Sequence, residues 1–428
     1  MQDAPYPYQR ALIVGVNTYD NDEKFLEEIE ELKELAYACE VEVLDVVTQN
    51  RRFVDVNTYV GKGKIDEIKL AIDALDIEVV IFNDELLPSQ ISNLETLLDI
   101  QIFDRTYVIL EIFKRRAKTK EAKLQVEIAS LDYMLPRLAG LHQGLSRQRG
   151  TGGGFAHGRG AGETKLELDR RVTTDKIVQL RHELSDLTKL RKEQRRLREK
   201  TETKVVSLVG YTNSGKSSTL NAIMKYSLGP QKEVLEKDML FATLETSTRS
   251  ISLKNGAHFL LTDTVGFVKK LPHHLVESFK STLEEVTESD LIVHVVDSSN
   301  QNYLEQIETT NKVLLELGVT NIPVIYAFNK VDKTEGYFFI PQNYYPSITT
   351  SAKSGENIDR LIEMITKTLF SDYKEYTLLI PYKDTKDLEQ IKQNAFDYEI
   401  SYNDIGTIFK GNVNNRVSNL IEKYKKWA

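Results

Sequence analysis

One cysteine, Cys39, stands in 428 residues. A single thiol excludes an intramolecular disulfide and fits a reducing compartment. No apolar run approaches the roughly 18 residues of a membrane span, and no amphipathic anchor or lipidation motif stands in for one. Residues 1–10 have prolines and charges where a signal peptide needs an apolar stretch. A cytoplasmic protein with no membrane partner is expected. There is no internal repeat. The length allows two or three domains, and 41% hydrophobic and 28% charged residues are ordinary for a globular chain.

The net charge of −8 hides an asymmetry. Residues 105–204 carry 24 Lys/Arg against 13 Asp/Glu, a balance of +11; the other 328 carry 32 against 51, a balance of −19. Between Asp132 and Glu163 there is no acidic side chain. A solvated helix face mixes both signs, so a one-signed block points to a polyanion such as nucleic acid.

Apolar runs at 11–16, 42–47 and 78–82 read as strands, and 23–39, 64–75 and 88–98 as helices, the last opened by Pro88. Alternating strands and helices predict an α/β domain with a largely parallel sheet over 1–110. Residues 111–204 read as a basic helical region broken by a glycine-rich loop at 150–162. Within it Leu166, Val172, Ile177, Leu180, Leu184, Leu187 and Leu190 could form the seam of a helical hairpin or pair. Residues 205–371 form a motif-bearing domain with a parallel-rich sheet flanked by helices. Residues 372–428 read as a small α/β appendage, with strands at 376–381 and 407–409 and a helix at 385–394.

The motifs stand in one order. Gly210-Tyr211-Thr212-Asn213-Ser214-Gly215-Lys216-Ser217 follows an apolar strand at 205–209 and opens a helix. That context makes the glycine loop a phosphate cradle, in which backbone N–H groups and a helix N-terminus meet the anion. Lys216 would reach the β- and γ-phosphates, and the Ser217 hydroxyl would ligate Mg²⁺. Asp263-Thr264-Val265-Gly266 supplies a metal-associated carboxylate, acting through water, and a glycine N–H for the γ-phosphate. Asn329-Lys330-Val331-Asp332 specifies guanine: Asp332 accepts both N–H donors of that base edge, which adenine lacks. Asn329 would tether neighbouring loops and Lys330 cover the base. Ser351-Ala352-Lys353 would contact the base through backbone from the other side.

Thr243, in Phe241-Ala242-Thr243-Leu244-Glu245, would close on Mg²⁺ when a γ-phosphate is present, with Thr246 and Thr248 as rivals on spacing alone. The candidate catalytic residues are therefore Lys216, Thr243 and Gly266. Phe267 stands where many small GTPases place a water-orienting glutamine. This substitution predicts slow intrinsic hydrolysis, accelerated by a partner or by another group.

With these motifs on the page, the chain resembles the HflX family of ribosome-associated GTPases from about residue 11 to 370. The resemblance rests also on Tyr59-Val60-Gly61-Lys62-Gly63-Lys64, on Leu87-Pro88-Ser89-Gln90 with Asn93-Leu94-Glu95, and on Asp104-Arg105-Thr106. Lys123-Leu124-Gln125-Val126-Glu127, Leu135-Pro136-Arg137-Leu138 and Gly162-Glu163-Thr164-Lys165-Leu166-Glu167 continue it. Leu271-Pro272-His273-His274-Leu275-Val276 completes it. It implies a monomeric GTP/GDP-binding factor that docks on the large ribosomal subunit and its RNA and splits or rescues stalled or idle ribosomes. The glycine-rich loop would reach toward the peptidyl-transferase region. Residues 241–245 would act as switch I with Thr243 on Mg²⁺, and Asn213 would coordinate K⁺ beside the phosphates. Two departures stand out: Glu245-Thr246 replaces Asp-Pro, which loosens the switch backbone, and Ala161 replaces a proline. Rival readings are a GTPase of large-subunit assembly and an ATP-driven RNA remodeller using Gly15 and Gly61-Lys62-Gly63.

Overall fold

The computed structural model describes residues 9–18, 21–138, 159–201, 203–228, 240–241, 247–270, 285–334, 336 and 338–425; within the helix at 159–201, side chains are described for 167–189. The chain divides into two compact units, one of residues 1–193, 238–245 and 269–281, the other of 194–237, 246–268 and 282–428.

The first unit is built on strands β1 (Gln9–Asn17), β2 (Val41–Asn50), β3 (Val79–Phe82) and β4 (Gln101–Asp104). They pair in parallel in the order β2-β1-β3-β4. Helices α1 (Asp22–Ala38), α2 (Lys62–Leu75) and α3 (Pro88–Leu98) connect them. β1 and β3 read as unbroken apolar runs because both faces are covered: residues 11–14 and 79–82 are fully buried. Leu12, Val14, Val80 and Phe82 pack with Val60, Ile65, Ile68 and Leu94. Each such side chain contributes about 1.5–3 kcal/mol of burial.

α4 (Arg105–Arg116) starts where the buried Asp104 carboxylate accepts from the Tyr107 N–H at 2.8 Å. Arg105, 1% exposed, donates to Asn83 Oδ1 and the Glu28 carbonyl oxygen and pairs with Glu31. Two segments distant in sequence belong to this unit. Phe241, at φ +52°, sets its ring 4.7 Å from that of Phe113. Lys269 pairs with Glu27 at 3.2 Å, and Lys270 with Glu28 at 2.6 Å and Asp84 at 2.5 Å.

α5 (Lys120–Met134) is followed by α6 (Arg159–Thr201), one helix of 43 residues. A hairpin within 163–200 is thus corrected: α6 runs unbroken and finds its apolar partner in α5. Ile177, Leu180, Leu184 and Leu187 meet Leu124, Ile128 and Leu131, while Val172 lies off the seam and exposed. Lys176–Glu127 (2.6 Å) and Arg181–Asp132 (2.9 Å) flank the contact. The glycine-rich segment yields to helix at Arg159, sooner than expected; residues 139–158, Leu166 and Leu190 fall among the side chains or segments outside the description.

The second unit carries β5 (Lys204–Val209), α7 (Lys216–Met224), β6 (Ser247–Ser252), β7 (His258–Asp263), β8 (Leu291–Asp297), α8 (Tyr303–Glu316), β9 (Val324–Asn329), β10 (Ser347–Thr349) and α9 (Ile358–Leu369). The sheet runs β10-β9-β8-β5-β7-β6, with β6 antiparallel to β7 and the rest parallel. Val206, Leu208, Val293, Val295 and Ile325 form its core with Leu220, Ile223, Leu361 and Ile365 of the helices. A three-stranded antiparallel sheet closes the chain: β11 (Lys374–Pro381), β12 (Ala395–Tyr402) and β13 (Gly406–Val413) in the order β11-β13-β12, with α10 (Thr385–Gln393) and α11 (Ser418–Lys425).

Candidate guanine-nucleotide site

Gly210 follows β5, Asp263 ends β7, Asn329 ends β9, and Ser351 lies two residues past β10. All four motifs therefore leave the carboxyl ends of their strands, the edge at which open α/β sheets take ligands. Their glycines are compelled by packing. Gly210 has φ +149°, and a Cβ there would sit 2.2 Å from the Val295 carbonyl oxygen. Gly215 has φ +93°, and its Cβ would sit 2.2 Å from Asn329 Nδ2. Asn213 takes the left-handed region at φ +58° and is exposed at the loop's tip. The loop ends on the N-terminus of α7, whose free N–H groups carry partial positive charge.

Lys216 is 6% exposed, and its Nζ donates to the carbonyl oxygens of Gly210 (3.1 Å) and Tyr211 (2.7 Å). Burial pushes its pKa down to about 8, Asp263 opposing and Lys330 adding to the fall. Ser217 Oγ donates to Asp263 Oδ2 at 2.6 Å. A hydroxyl and a carboxylate, both oxygen donors, fit a hard divalent ion such as Mg²⁺. The buried hydroxyls of Thr212 and Ser214 have no hydrogen-bond partner among the described residues, as expected of groups a ligand completes.

The Asp263-Thr264-Val265-Gly266 segment rests on this loop. A Cβ on Gly266 would lie 2.8 Å from Thr212 Cα and 2.9 Å from Lys216 Nζ. Thr264 Oγ1 donates to the Leu208 carbonyl oxygen at 2.7 Å, and Val265 is buried. Phe267 is 1% exposed; its N–H donates to the Gly210 oxygen (3.2 Å), and its own carbonyl accepts from Thr212 N–H (2.8 Å). The residue in the glutamine's place thus ties the two motifs together through its backbone.

At the carboxyl end of β9, Asn329 Nδ2 donates to the Ser214 carbonyl oxygen at 2.9 Å and its Oδ1 accepts from Ala352 N–H at 2.9 Å. One amide joins three motifs. Lys330 is left-handed at φ +66°, with Nζ 2.7 Å from Asp297 Oδ2. Val331 N–H donates to the Thr350 oxygen. Asp332 Oδ1 accepts from Ser351 Oγ at 2.6 Å, and Ser351 Oγ accepts from Ser354 N–H at 3.1 Å. Lys353 is exposed beside them.

Phe241 belongs to the first unit, where its ring packs on that of Phe113. Ala242, Thr243, Leu244 and Glu245 lie outside the described residues. Three contributors escaped the motif reading: Asp297, which fixes Lys330; Ser298, whose N–H and Oγ both donate to the Asn329 oxygen; and the Ser351 hydroxyl. An available signal was the run Leu291-Ile292-Val293-His294-Val295-Val296 ending in Asp297, a carboxylate at a buried strand's carboxyl end. His294 in that run is buried, and burial, then Lys216, push its pKa down to about 3, so it adds no charge beside the lysine.

Residues 26–114 match the family described as GTP-binding GTPase N-terminal, 116–198 the GTP-binding GTPase Middle Region, and 205–330 the 50S ribosome-binding GTPase. The GTPase HflX of Caldanaerobacter subterraneus subsp. tengcongensis is 41% identical over 96% of this chain and 93% of its own. That of Lacrimispora saccharolytica is 43% identical over 90% and 89%, and that of Escherichia coli 38% identical over 86% and 85%. With relatives this similar across nearly its whole length, the chain belongs to the HflX family of GTPases.

Proposed function

We propose that this GTPase docks on the large ribosomal subunit in its GTP state, splits or rescues stalled or idle ribosomes, and leaves after hydrolysis. The observation that carries the reading is the match of residues 205–330 to a 50S ribosome-binding GTPase on a chain whose residues 105–204 hold a +11 balance. Lysines and arginines on RNA phosphates bind by releasing counterions, which makes affinity strongly salt-dependent. In the site, the loop from Gly210 to Gly215 cradles the phosphates and Lys216 neutralises them. Gly266 N–H serves the γ-phosphate, and Asp332 selects guanine. Mg²⁺, held by Ser217 and Thr243 and through water by Asp263, would neutralise charge on the phosphates. Asn213 would hold K⁺, and equal turnover in Na⁺ and K⁺ buffers would count against that role.

Phe267 explains why a partner is needed. Its side chain cannot orient water, and its backbone is bonded to Gly210 and Thr212. Intrinsic hydrolysis is therefore slow and ribosome binding accelerates it. The deciding experiment is co-sedimentation with intact ribosomes and separated subunits, comparing a non-hydrolysable GTP analogue with GDP. Analogue-dependent binding to the large subunit with loss of intact ribosomes is expected. Binding without splitting would move the reading to subunit assembly, and no binding would remove it.

A further inference from the structure

The loop after β2 presents apolar side chains to solvent on a rigid frame. Phe53 is 74% exposed and Val56 76% exposed, with Val54 partly so. Exposed apolar tips on a floppy loop carry little meaning, but this one is held from both ends. The backbones of Asp55 and Tyr59 exchange hydrogen bonds at 2.9 Å each way. Asp55 Oδ1 accepts from the N–H groups of Asn57 (2.9 Å) and Thr58 (3.2 Å). From α3, the buried Gln90 amide donates to the carbonyl oxygens of Asp55 (3.0 Å) and Val56 (3.3 Å), and Asn93 Nδ2 donates to that of Asn57 (3.0 Å). A surface ordered in advance loses less entropy when it binds.

Along the loop cations outnumber acids, although Lys64 is paired with Glu67 at 2.5 Å. From Val46 to Ile65 the cations are Arg51, Arg52, Lys62 and Lys64, and the only acid is Asp55, whose Oδ1 the turn has already taken. The Arg52 guanidinium carbon lies over the Phe53 ring, 5.7 Å from its centroid, so a planar cation sits on one face of a ring that is otherwise largely exposed. Arg51 Nη1 is shut away from water with no hydrogen-bond partner among the described residues. It lies 3.2 Å from the place of a Cβ on Gly61, the N-cap of α2, which provides no side-chain cap. Cations beside an exposed ring match single-stranded nucleic acid: a base face stacks on the ring while phosphates meet the exposed Arg52 guanidinium and the Lys62 ammonium. A duplex hides its base faces and offers the ring nothing.

We propose that Phe53, Arg52 and Arg51, with Val56 and Lys62, form a binding surface for unpaired RNA bases. As a contact to ribosomal RNA this rests on the ribosomal reading above, but the surface is testable without ribosomes. The full chain is titrated into a short single-stranded RNA carrying a fluorescent base analogue, and into the same strand annealed to its complement. Phe53→Ala is expected to weaken single-strand binding about tenfold and to abolish the stacking change in fluorescence. Phe53→Trp should restore both and Phe53→Leu neither. Arg52→Ala should lower the slope of log affinity against log salt by about one. Single-strand affinity and stacking signal unchanged in Phe53→Ala would overturn the proposal. So would wild-type affinity in Phe53→Leu, which would mark the patch as a protein-docking surface that needs apolar area and no ring face. The same variants in large-subunit co-sedimentation keep the two ideas apart. If wild type binds the RNA but no subunit, the ribosomal reading fails and this one stands.

Discussion

The carboxyl ends of β5 and β7 and the carboxyl ends of β1 and β3 are the same kind of place, the open edge of a parallel sheet, and the chain has furnished them differently. At the first edge glycines are forced by backbone φ and by neighbours 2.2 Å from a would-be Cβ, and the hydroxyls of Thr212 and Ser214 are left without hydrogen-bond partners among the described residues. At the second edge the space is filled by the protein's own ions: Glu28 with Asn83 and Lys270, Asp84 with Tyr59 and Lys270, Arg105 with Glu31 and Asn83. Burial works against the charge on Lys270, yet Asp84 and Glu28 outweigh it and hold its pKa above the ordinary value. Shared topology offers a site; whether the polar groups are spent internally or kept for a ligand decides its use.

Two variants separate the edges most sharply. Arg105→Ala removes a 1%-exposed guanidinium and with it the donor to Asn83 Oδ1 and the ion pair with Glu31. Breaking a buried ion pair costs about 3–5 kcal/mol, so the thermal transition of the first unit should fall while GTP affinity at low temperature holds. Lys216→Ala should do the reverse. Nucleotide affinity drops about a hundredfold, the scale of lost charge-assisted hydrogen bonds to phosphate, and the melting profile barely moves. If the two variants changed the same observable, the edges would not be doing different work.

Within the nucleotide edge, Asp332→Asn sharpens the point to one base. An amide accepts from N1–H but donates where the carboxylate accepted, which suits the C2 carbonyl of xanthine and not the exocyclic amine of guanine. Guanine-nucleotide affinity should fall at least about tenfold and xanthine-nucleotide affinity rise, read by competition against a fluorescent nucleotide. Unchanged guanine preference would remove Asp332 from the base site.

Much of this was legible in the sequence because it is local. Val205-Val206-Ser207-Leu208-Val209 before Gly210 reads as a buried strand, and β5 is one. Helices at α2 and α3 show in their apolar spacing and in Pro88. What could not be read depends on distant partners. β6 is Ser-Thr-Arg-Ser-Ile-Ser, too polar to announce itself; as an edge strand beside β7 it needs only one covered face. β12 and α11 are weak signals for a similar reason: the first is a half-buried alternation over eight residues, the second a helix of eight residues with only Ile421 and Tyr424 buried. α6 misled because its glycines, Gly160 and Gly162, suggest a loop, while the contact with α5 that carries the helix lies some fifty residues back. In the site, motif spacing locates Asp332 and Lys330, but not that Ser351 Oγ and Asp297 hold them. Nothing local says that Phe241 packs on Phe113.

The smallest effect tests the comparison from its quiet side. Gly63, in the Gly61-Lys62-Gly63 run that invites a phosphate reading, lies in the first turn of α2 without a left-handed φ, and a Cβ there would meet nothing within 4 Å. Glycine is not required by the backbone, so Gly63→Ala should gain about 0.5 kcal/mol of stability from the lower entropy of the unfolded chain and the better helix propensity of alanine. The matching change at the other edge, Gly215→Ala, drives a methyl into Asn329 Nδ2 and a left-handed backbone, and should lose both stability and nucleotide affinity. Opposite signs in paired thermal melts are the expected result. If Gly63→Ala instead lowered the melting temperature, glycine would be required at this helix start as well, and the contrast with Gly215 would fail.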